Sequence, residues 1–558
     1  MPRISDSLKK AAKKQESLPV WLTHMWQRQH EHRQLSLLLG AGVSMDAGCP
    51  GWKALVDRLA AEEGVEADEI KLHREDGLQE SYLTEMLFQN HSAKEKSRQR
   101  SMDRRILKFQ ISSAWYAKIH KCLYADVQTA KFDDLLARHS YLSDLGELVY
   151  KTSFTVNFNF DDVVDEATYL YAKETGKPSP EILMEPRPET RRSVPAVYHI
   201  NGYIPREEIR RRSETVTLSE DAFADVMLST NAIASEFINA KFATNTFLIL
   251  GSSLSDGSLK NMLRGGANRN AANHHYIVYW EDPTKKPRTK RQRDDISAVN
   301  LNVYNLISIF LDTEELKSMI RILNITDPVR FADEIAGISG DKISRRYYLV
   351  GPVAGGKSST LASLRCFSTH EEWSGRPPAV MYQKESLLSP DQQQDVDDFL
   401  FPQLAGKNSR MSSAGPGVHV MDRAYFDLFA FSQDNPKEVL RKAKELRRRI
   451  TGPSSGGFAD GHIIFLDAEK NELSQRMAKR GRPKGRLGRI SYDATSLVKQ
   501  SAHLKEIYRP HKHSVFDTTH DDSSSVARTV ARFILLGKYD PFDFNKRLKQ
   551  VIAARGNI

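Results

Sequence analysis

Three cysteines in 558 residues is a very small complement. Cys49, Cys122 and Cys366 are far apart and fit no metal-ligand spacing. This excludes a zinc ribbon, which needs four ligands in close pairs, and points to a reducing cytosol. Long hydrophobic runs are missing too. No stretch approaches the roughly 18 apolar residues of a membrane span, so no transmembrane helix is expected. The N-terminal MPRISDSLKKAAKKQESLPVW is basic but lacks an apolar segment, and reads as an exposed first helix rather than a signal. What is present is ordinary: 40% hydrophobic and 27% charged residues, the composition of a soluble cytoplasmic protein. The length is too great for one core and allows two large domains.

The net charge of +10 is moderately basic, concentrated in three runs: Lys94–Arg105, Lys285–Arg293 and Arg476–Arg489. The middle run, KKPRTKRQR, follows Pro283 and lacks apolar periodicity, so it reads as an exposed loop. Residues 53–150 carry helical periodicity and many charges. They read as a helical insertion, a lid or an oligomer contact without chemistry of its own.

Residues 36–52 read SLLLGAGVSMDAGCPGW and residues 351–359 read GPVAGGKSS, two glycine-rich turns about 310 residues apart. Each needs a strand end and a helix start to aim backbone N–H groups at phosphates, so each implies its own α/β sheet. In the first, Leu35–Leu39 leads into Gly40, Ala41 and Gly42, then Ser44; glycine is expected there because a Cβ would hold ligand phosphates off the backbone. In the second, a strand over Arg346–Val350 runs into Gly351. Gly356, Lys357 and Ser358 then complete G-x-x-x-x-G-K-[ST] before an apolar helix carrying Leu361 and Leu364. Backbone N–H groups of such a loop, Ser359 included, wrap the β-phosphate of ATP or another nucleoside triphosphate. Lys357 neutralises β and γ oxygens, and the Ser358 hydroxyl reaches Mg²⁺.

Four segments of the N-terminal part resemble the sirtuin family in order. GAGVSMDAGCPGW is similar to its glycine turn and GxP loop. TSFTVNFNFDDVVDEA resembles the TxNxD element of bacterial sirtuin-like domains, VYHINGYIP the catalytic HG element, and FLILGSSLSDGSLKNML the GxSxxD loop. The resemblance spans roughly residues 20–325 and is nearest to the NAD-consuming domains of bacterial anti-phage defence proteins, which lack the deacetylase zinc module. It implies that Gly40, Ala41, Gly42 and Ser44 line the NAD phosphates. It also implies that Asn159 and Asp161 hold the nicotinamide ribose and a water, and that Gly251, Ser253 and Asp256 cup the adenosine ribose. Two positions depart from the family. Asn157 replaces a threonine, and Asn201 replaces the catalytic histidine. An Asn side chain cannot take a proton near neutrality. In a strand, residues two apart share a face, so His199 would point with Asn201 and could act as base, Tyr198 and Ile200 lying opposite. The alternative is that His199 only packs and Asn201 only binds.

The C-terminal part resembles thymidylate and deoxynucleoside kinases. Gly417–Met421 is a strand ending in Asp422 and Arg423, similar to the DR element that meets the phosphoacceptor. HIIFLDAEKNELSQRMAKRGRP resembles a strand, helix and arginine-rich lid, and VFDTT the last strand. The resemblance implies that Arg476, Arg480, Arg482 and Arg486 clamp transferring phosphates, for which the guanidinium is suited. Glu385, after a strand at Val380–Tyr382, is an acceptor-site acid on this reading.

The expected architecture is therefore α/β throughout. A sirtuin-like Rossmann-type parallel sheet with a helical insertion at about 53–150 occupies 1–330, and a P-loop kinase-like α/β domain occupies 340–558. Three functions are compatible. One is an anti-phage effector that hydrolyses NAD and is gated by a nucleotide-sensing or nucleotide-phosphorylating kinase-like domain. Another is a nucleoside or nucleotide kinase regulated by NAD or ADP-ribose bound to an inactive sirtuin-like domain. The third is a nucleic-acid-associated scaffold, supported by charge alone, because the arginine-rich run lacks stacking aromatics. A nucleotide or nucleoside ligand, a homo-oligomer and a second defence protein or phage trigger are the expected partners.

Overall fold

A computed structural model of the chain describes residues 4–99, 102–127, 140–184, 194–207, 212–213, 216–219, 232–254, 256–341, 343–383, 387–432, 435–450, 457–480 and 493–555. Two compact units emerge. The first comprises residues 1–15, 28–269 and 274–326, the second 16–27, 270–273 and 327–558. Both are mixed α/β with parallel sheets.

The first unit is built on seven strands: β1 (Leu35–Leu39), β2 (Phe154–Asn157), β3 (Glu181–Leu183), β4 (Ala196–His199), β5 (Thr246–Leu250), β6 (His275–Trp280) and β7 (Leu306–Leu311). Their order is β3-β4-β2-β1-β5-β6-β7, and every pairing is parallel. The central strands β1 and β5 are buried throughout and apolar except for Ser36 and Thr246, as strands covered on both faces must largely be. Leu38, Val156, Phe247 and Ile249 meet Phe242, Leu259 and Leu263 from covering helices, with Phe242 stacked on Phe247 at 4.0 Å between ring centres. Helices Trp52–Glu63, Ala67–Glu75, Glu80–Arg98 and Arg104–Tyr124 form a satellite core around Leu59, Leu83 and Trp115.

The run Lys285–Arg293, expected to be loop throughout, is loop only at its start. Helix Lys290–Tyr304 begins inside it, because Thr289 and Gln292 form a reciprocal capping box.

The second unit has five parallel strands: β8 (Ser344–Val350), β9 (Ser368–His370), β10 (Gly417–Asp422), β11 (His462–Asp467) and β12 (Val515–Asp517). Their order is β12-β11-β8-β10-β9. Tyr348, Tyr425, Phe426, Phe458 and Phe544 make an aromatic core. The buried Tyr348 hydroxyl donates to Ala459 O at 2.7 Å and meets that of Tyr425 at 3.0 Å. Residues 16–27 belong to this unit because Trp21 donates to Leu535 O at 3.0 Å, Trp26 stacks on Phe331 and Gln27 accepts from Val418 N at 2.9 Å. Segment 379–382, expected as a strand, is a 3-10 turn; the second strand lies earlier, at β9.

Candidate functional site

In the first unit the strand order reverses at β1, with β2, β4 and β3 built to one side and β5, β6 and β7 to the other. Open parallel sheets bind ligands at the carboxyl ends of the strands flanking such a reversal. The loops leaving β1 and β5 touch there. Gly40 N donates to Leu250 O at 2.9 Å and Gly42 N to Gly251 O at 3.0 Å. A Cβ on Gly40 would lie 2.6 Å from Gly251 O, and one on Gly251, whose φ is +70°, 2.6 Å from Val43 N. Packing of one loop on the other therefore requires these glycines. Val43 N and Ser44 N close turns onto Gly40 O and Ala41 O. Ala41 is half-buried and Gly42 exposed, so they form the open lip. From the β5 side, Gly251 and Ser253 are also exposed, and Asp256 caps helix Gly257–Arg269 by accepting from Leu259 N at 3.1 Å.

Behind the lip lies a buried polar cluster. Ser44 Oγ donates to Asp161 Oδ1 at 2.8 Å and accepts from Asn159 Nδ2 at 3.2 Å, while Asn159 Nδ2 also donates to Gly40 O at 3.1 Å. Asn157 Oδ1 accepts from Asn159 N at 3.0 Å, and its buried Nδ2 has no partner among the described residues. Burial pushes the Asp161 carboxyl up to about 6; Asp162 and Asp165 add to this, and the Ser44 hydroxyl and Val163 N oppose it. Asp162 takes a hydrogen bond from Tyr124 at 3.1 Å and one from Arg206 N at 2.8 Å. Tyr141 donates to Val43 O. Residues 53–150, read from sequence as carrying no chemistry, thus supply two hydroxyls to this cluster.

His199 is the last residue of β4 and is buried. Its Nδ1 faces Asn159 O at 3.1 Å, and its Nε2 faces both oxygens of Asp165 at 3.1 Å. Both ring nitrogens are thus engaged, one by a carbonyl and one by a carboxyl group. Burial alone would lower the imidazole's pKa, but the Asp165 carboxylate outweighs it and raises it. Asn201 lies beyond the end of β4, so strand alternation does not extend to it. Its Nδ2 donates to Phe158 O at 3.1 Å and its backbone carbonyl accepts from Thr217 N at 2.7 Å. Asp165 escaped the sequence reading, although it stands four residues after Asp161, the spacing of one helix face.

In the second unit β8 stands at the corresponding reversal, with β10 and β9 on one side and β11 and β12 on the other. Gly351 and Gly356 take positive φ in the loop that follows. Lys357 Nζ donates to Gly351 O at 2.8 Å and Pro352 O at 2.7 Å, and burial, reinforced by Arg423, lowers its pKa to about 7. Ser358 donates to Asp422 Oδ2 at 2.9 Å, while the buried Asp422 Oδ1 has no partner among the described residues. A hydroxyl beside a carboxylate with one oxygen spare fits Mg²⁺, a hard cation that takes oxygen ligands. Ser359 is exposed at the start of the helix.

Arg423 has φ +60°, a left-handed conformation unusual for arginine. Its Nε pairs with Glu372 at 2.8 Å and its Nη1 with Asp427 at 3.5 Å. The fully buried Lys407 donates to the carbonyls of Asp422 and Arg423 at 3.0 and 3.3 Å, and burial lowers its pKa to about 8. Glu372, Lys407 and Asp427 were not singled out in the sequence. Glu372 lies two residues beyond β9, and Glu385, expected as an acceptor-site acid, lies outside the described residues. Arg476 donates to Thr518 Oγ1 at 2.9 Å, and its Nη1 is 3.9 Å from where a Cβ of Gly356 would be. It therefore stands beside the glycine-rich loop. Arg480 closes helix Lys470–Arg480, and Arg482 and Arg486 lie outside the described residues.

No curated protein matches the chain. Residues 153–304 match a family model described as a SIR2-like domain, which takes in Asn159, Asp161, His199, Asn201, Gly251 and Asp256 and supports an NAD-related function for the first unit.

Proposed function

We propose that the chain is a two-part anti-phage effector. Its sirtuin-like unit hydrolyses NAD to ADP-ribose and nicotinamide, and its kinase-like unit binds a nucleoside triphosphate and governs that activity. The observation that carries the reading is the Asn159–Ser44–Asp161 cluster behind the Gly40–Gly42 lip. It places polar groups and buried negative charge at the sheet's switch point, and two of its members, Asn159 and Asp161, lie in the stretch 153–304 that is similar to SIR2-like domains. Nicotinamide leaves as a neutral group from a cationic sugar, so buried carboxylates favour the charge that develops. In the second unit, Lys357 and the loop amides would hold the triphosphate, Ser358 and Asp422 would hold Mg²⁺, and Arg423 with Arg476 would face the transferring phosphate. Magnesium there would neutralise the phosphate oxygens.

A second reading is a nucleoside or nucleotide kinase regulated by NAD or ADP-ribose. It is favoured by Asn201 in the histidine position and by the engagement of both ring nitrogens of His199 with Asn159 and Asp165. Incubation of the purified protein with NAD, and then with ATP, Mg²⁺ and nucleosides, separates the two. Nicotinamide release supports the effector, and phosphate transfer without nicotinamide release supports the kinase.

A further inference from the structure

Both ring nitrogens of His199 are engaged and an Asn side chain takes no proton near neutrality, so a hydrolytic site is better served by an acceptor with a lone pair to spare. Hydrogen-bond capacity distinguishes the remaining groups. A serine hydroxyl has one proton to give and two lone pairs. Ser44 gives its proton to Asp161 and takes one bond from Asn159, which leaves one lone pair. Asp161 Oδ2 makes no hydrogen bond among the described residues, and Oδ1 accepts from Ser44 and Val163 N.

We propose that Ser44 and Asp161 form a proton relay for NAD hydrolysis, Ser44 meeting the attacking water and Asp161 acting through it. This rests on the NAD-cleaving reading above. Nicotinamide departs with the electron pair of its bond to C1′. The water oxygen forms the new bond to C1′, its proton passes to the free lone pair of Ser44 Oγ, and the Ser44 proton moves to Asp161. The carboxylic acid then releases that proton to solvent, so NAD⁺ and water yield ADP-ribose, nicotinamide and H⁺.

The surroundings suit the role. Asp162 and Asp165 stand on the same segment as Asp161, Cys49 follows the cradle, and Tyr124 and Tyr141 approach from the helices. His199, Tyr203 and Arg206 come from β4 and the residues after it. Burial among neighbouring carboxylates puts the Asp161 carboxyl near 6, where it is ionised at neutral pH yet basic enough to take a proton.

The test is nicotinamide release by the full-length protein from NAD⁺ across the range from about pH 5 to about pH 9, with ATP and Mg²⁺ present, alongside calorimetric NAD⁺ binding. The wild-type kcat should rise through an inflection near pH 6. Asp161→Asn and Ser44→Ala should each lower kcat ~100-fold or more and abolish the inflection, and Ser44→Thr should keep it. Should Asp161→Asn fail to fold, Ser44→Ala decides alone, since it removes no charge. An inflection that survives in Ser44→Ala, or a loss confined to KM, overturns the relay and leaves NAD cleavage standing. Binding of NAD⁺ without nicotinamide release by the wild type at any pH overturns the NAD-cleaving reading, and the relay with it.

Discussion

Lys357 is a buried ammonium whose hydrogen-bond acceptors are carbonyls of its own loop, and burial lowers its pKa to about 7. Because the folded value is depressed, this group favours folding most above its unfolded pKa, near 10.5, and that advantage is lost as pH falls through about 7. A bound triphosphate supplies the missing negative charge and restores the proton. Calorimetry of ATP binding at about pH 8, in buffers of differing ionisation enthalpy, should therefore report uptake of close to one proton per nucleotide. Lys357→Ala should weaken binding and remove the part of the uptake that belongs to Lys357. In the first unit Asn159 ties Ser44 to Gly40 O. Asn159→Ala should lower NAD turnover by about 2–4 kcal/mol in transition-state stabilisation, while far-UV circular dichroism stays unchanged. Full turnover in this variant would remove the cluster from the mechanism.

At the scale of elements, the two contacting loops after β1 and β5 depend on Gly251. An alanine there would be strained at φ +70° and would drive a Cβ to 2.6 Å from Val43 N. Gly251→Ala should destabilise the first unit by on the order of 2–4 kcal/mol, read as a lower denaturant midpoint. A glycine needed only to admit phosphate would leave stability unchanged. The strands and the two glycine turns were legible in the sequence because apolar runs ending in glycine, such as Leu35–Leu39 and Tyr347–Val350, are local patterns. Partnerships between distant segments were not. The Asp165 carboxylate that faces Nε2 of His199 and the Lys407 ammonium that donates to the Asp422 and Arg423 carbonyls come from helices whose sequences carry no local sign of the contact. Glu372 was missed for a different reason. β9 is only three residues long, too short to show periodicity, so nothing in the sequence drew attention to the residues after it.

For the whole molecule, a sensor must bind its ligand more tightly in the state that is active elsewhere, since a ligand shifts an equilibrium only through differential affinity. If the kinase-like unit governs NAD consumption, Lys357→Ala should stop NAD loss in infected cells, measured by metabolite extraction, although it leaves the NAD-binding unit unaltered. Asp422→Ala separates binding from transfer. Continued NAD loss in that variant would show that occupancy suffices, and its arrest would show that a phosphorylated product is needed. Unchanged NAD loss with Lys357→Ala would make the units independent enzymes. The three cysteines bear on how such changes can be followed. All are buried, and burial pushes the thiols of Cys49 and Cys122 up, Cys122 to about 11. A maleimide dye should leave the native chain nearly untouched, so one cysteine introduced on each unit can carry a fluorophore pair without first stripping the protein of its own thiols. Cys49, on the loop beside Asp161, adds a natural clock: its slow labelling rate measures how often that loop opens.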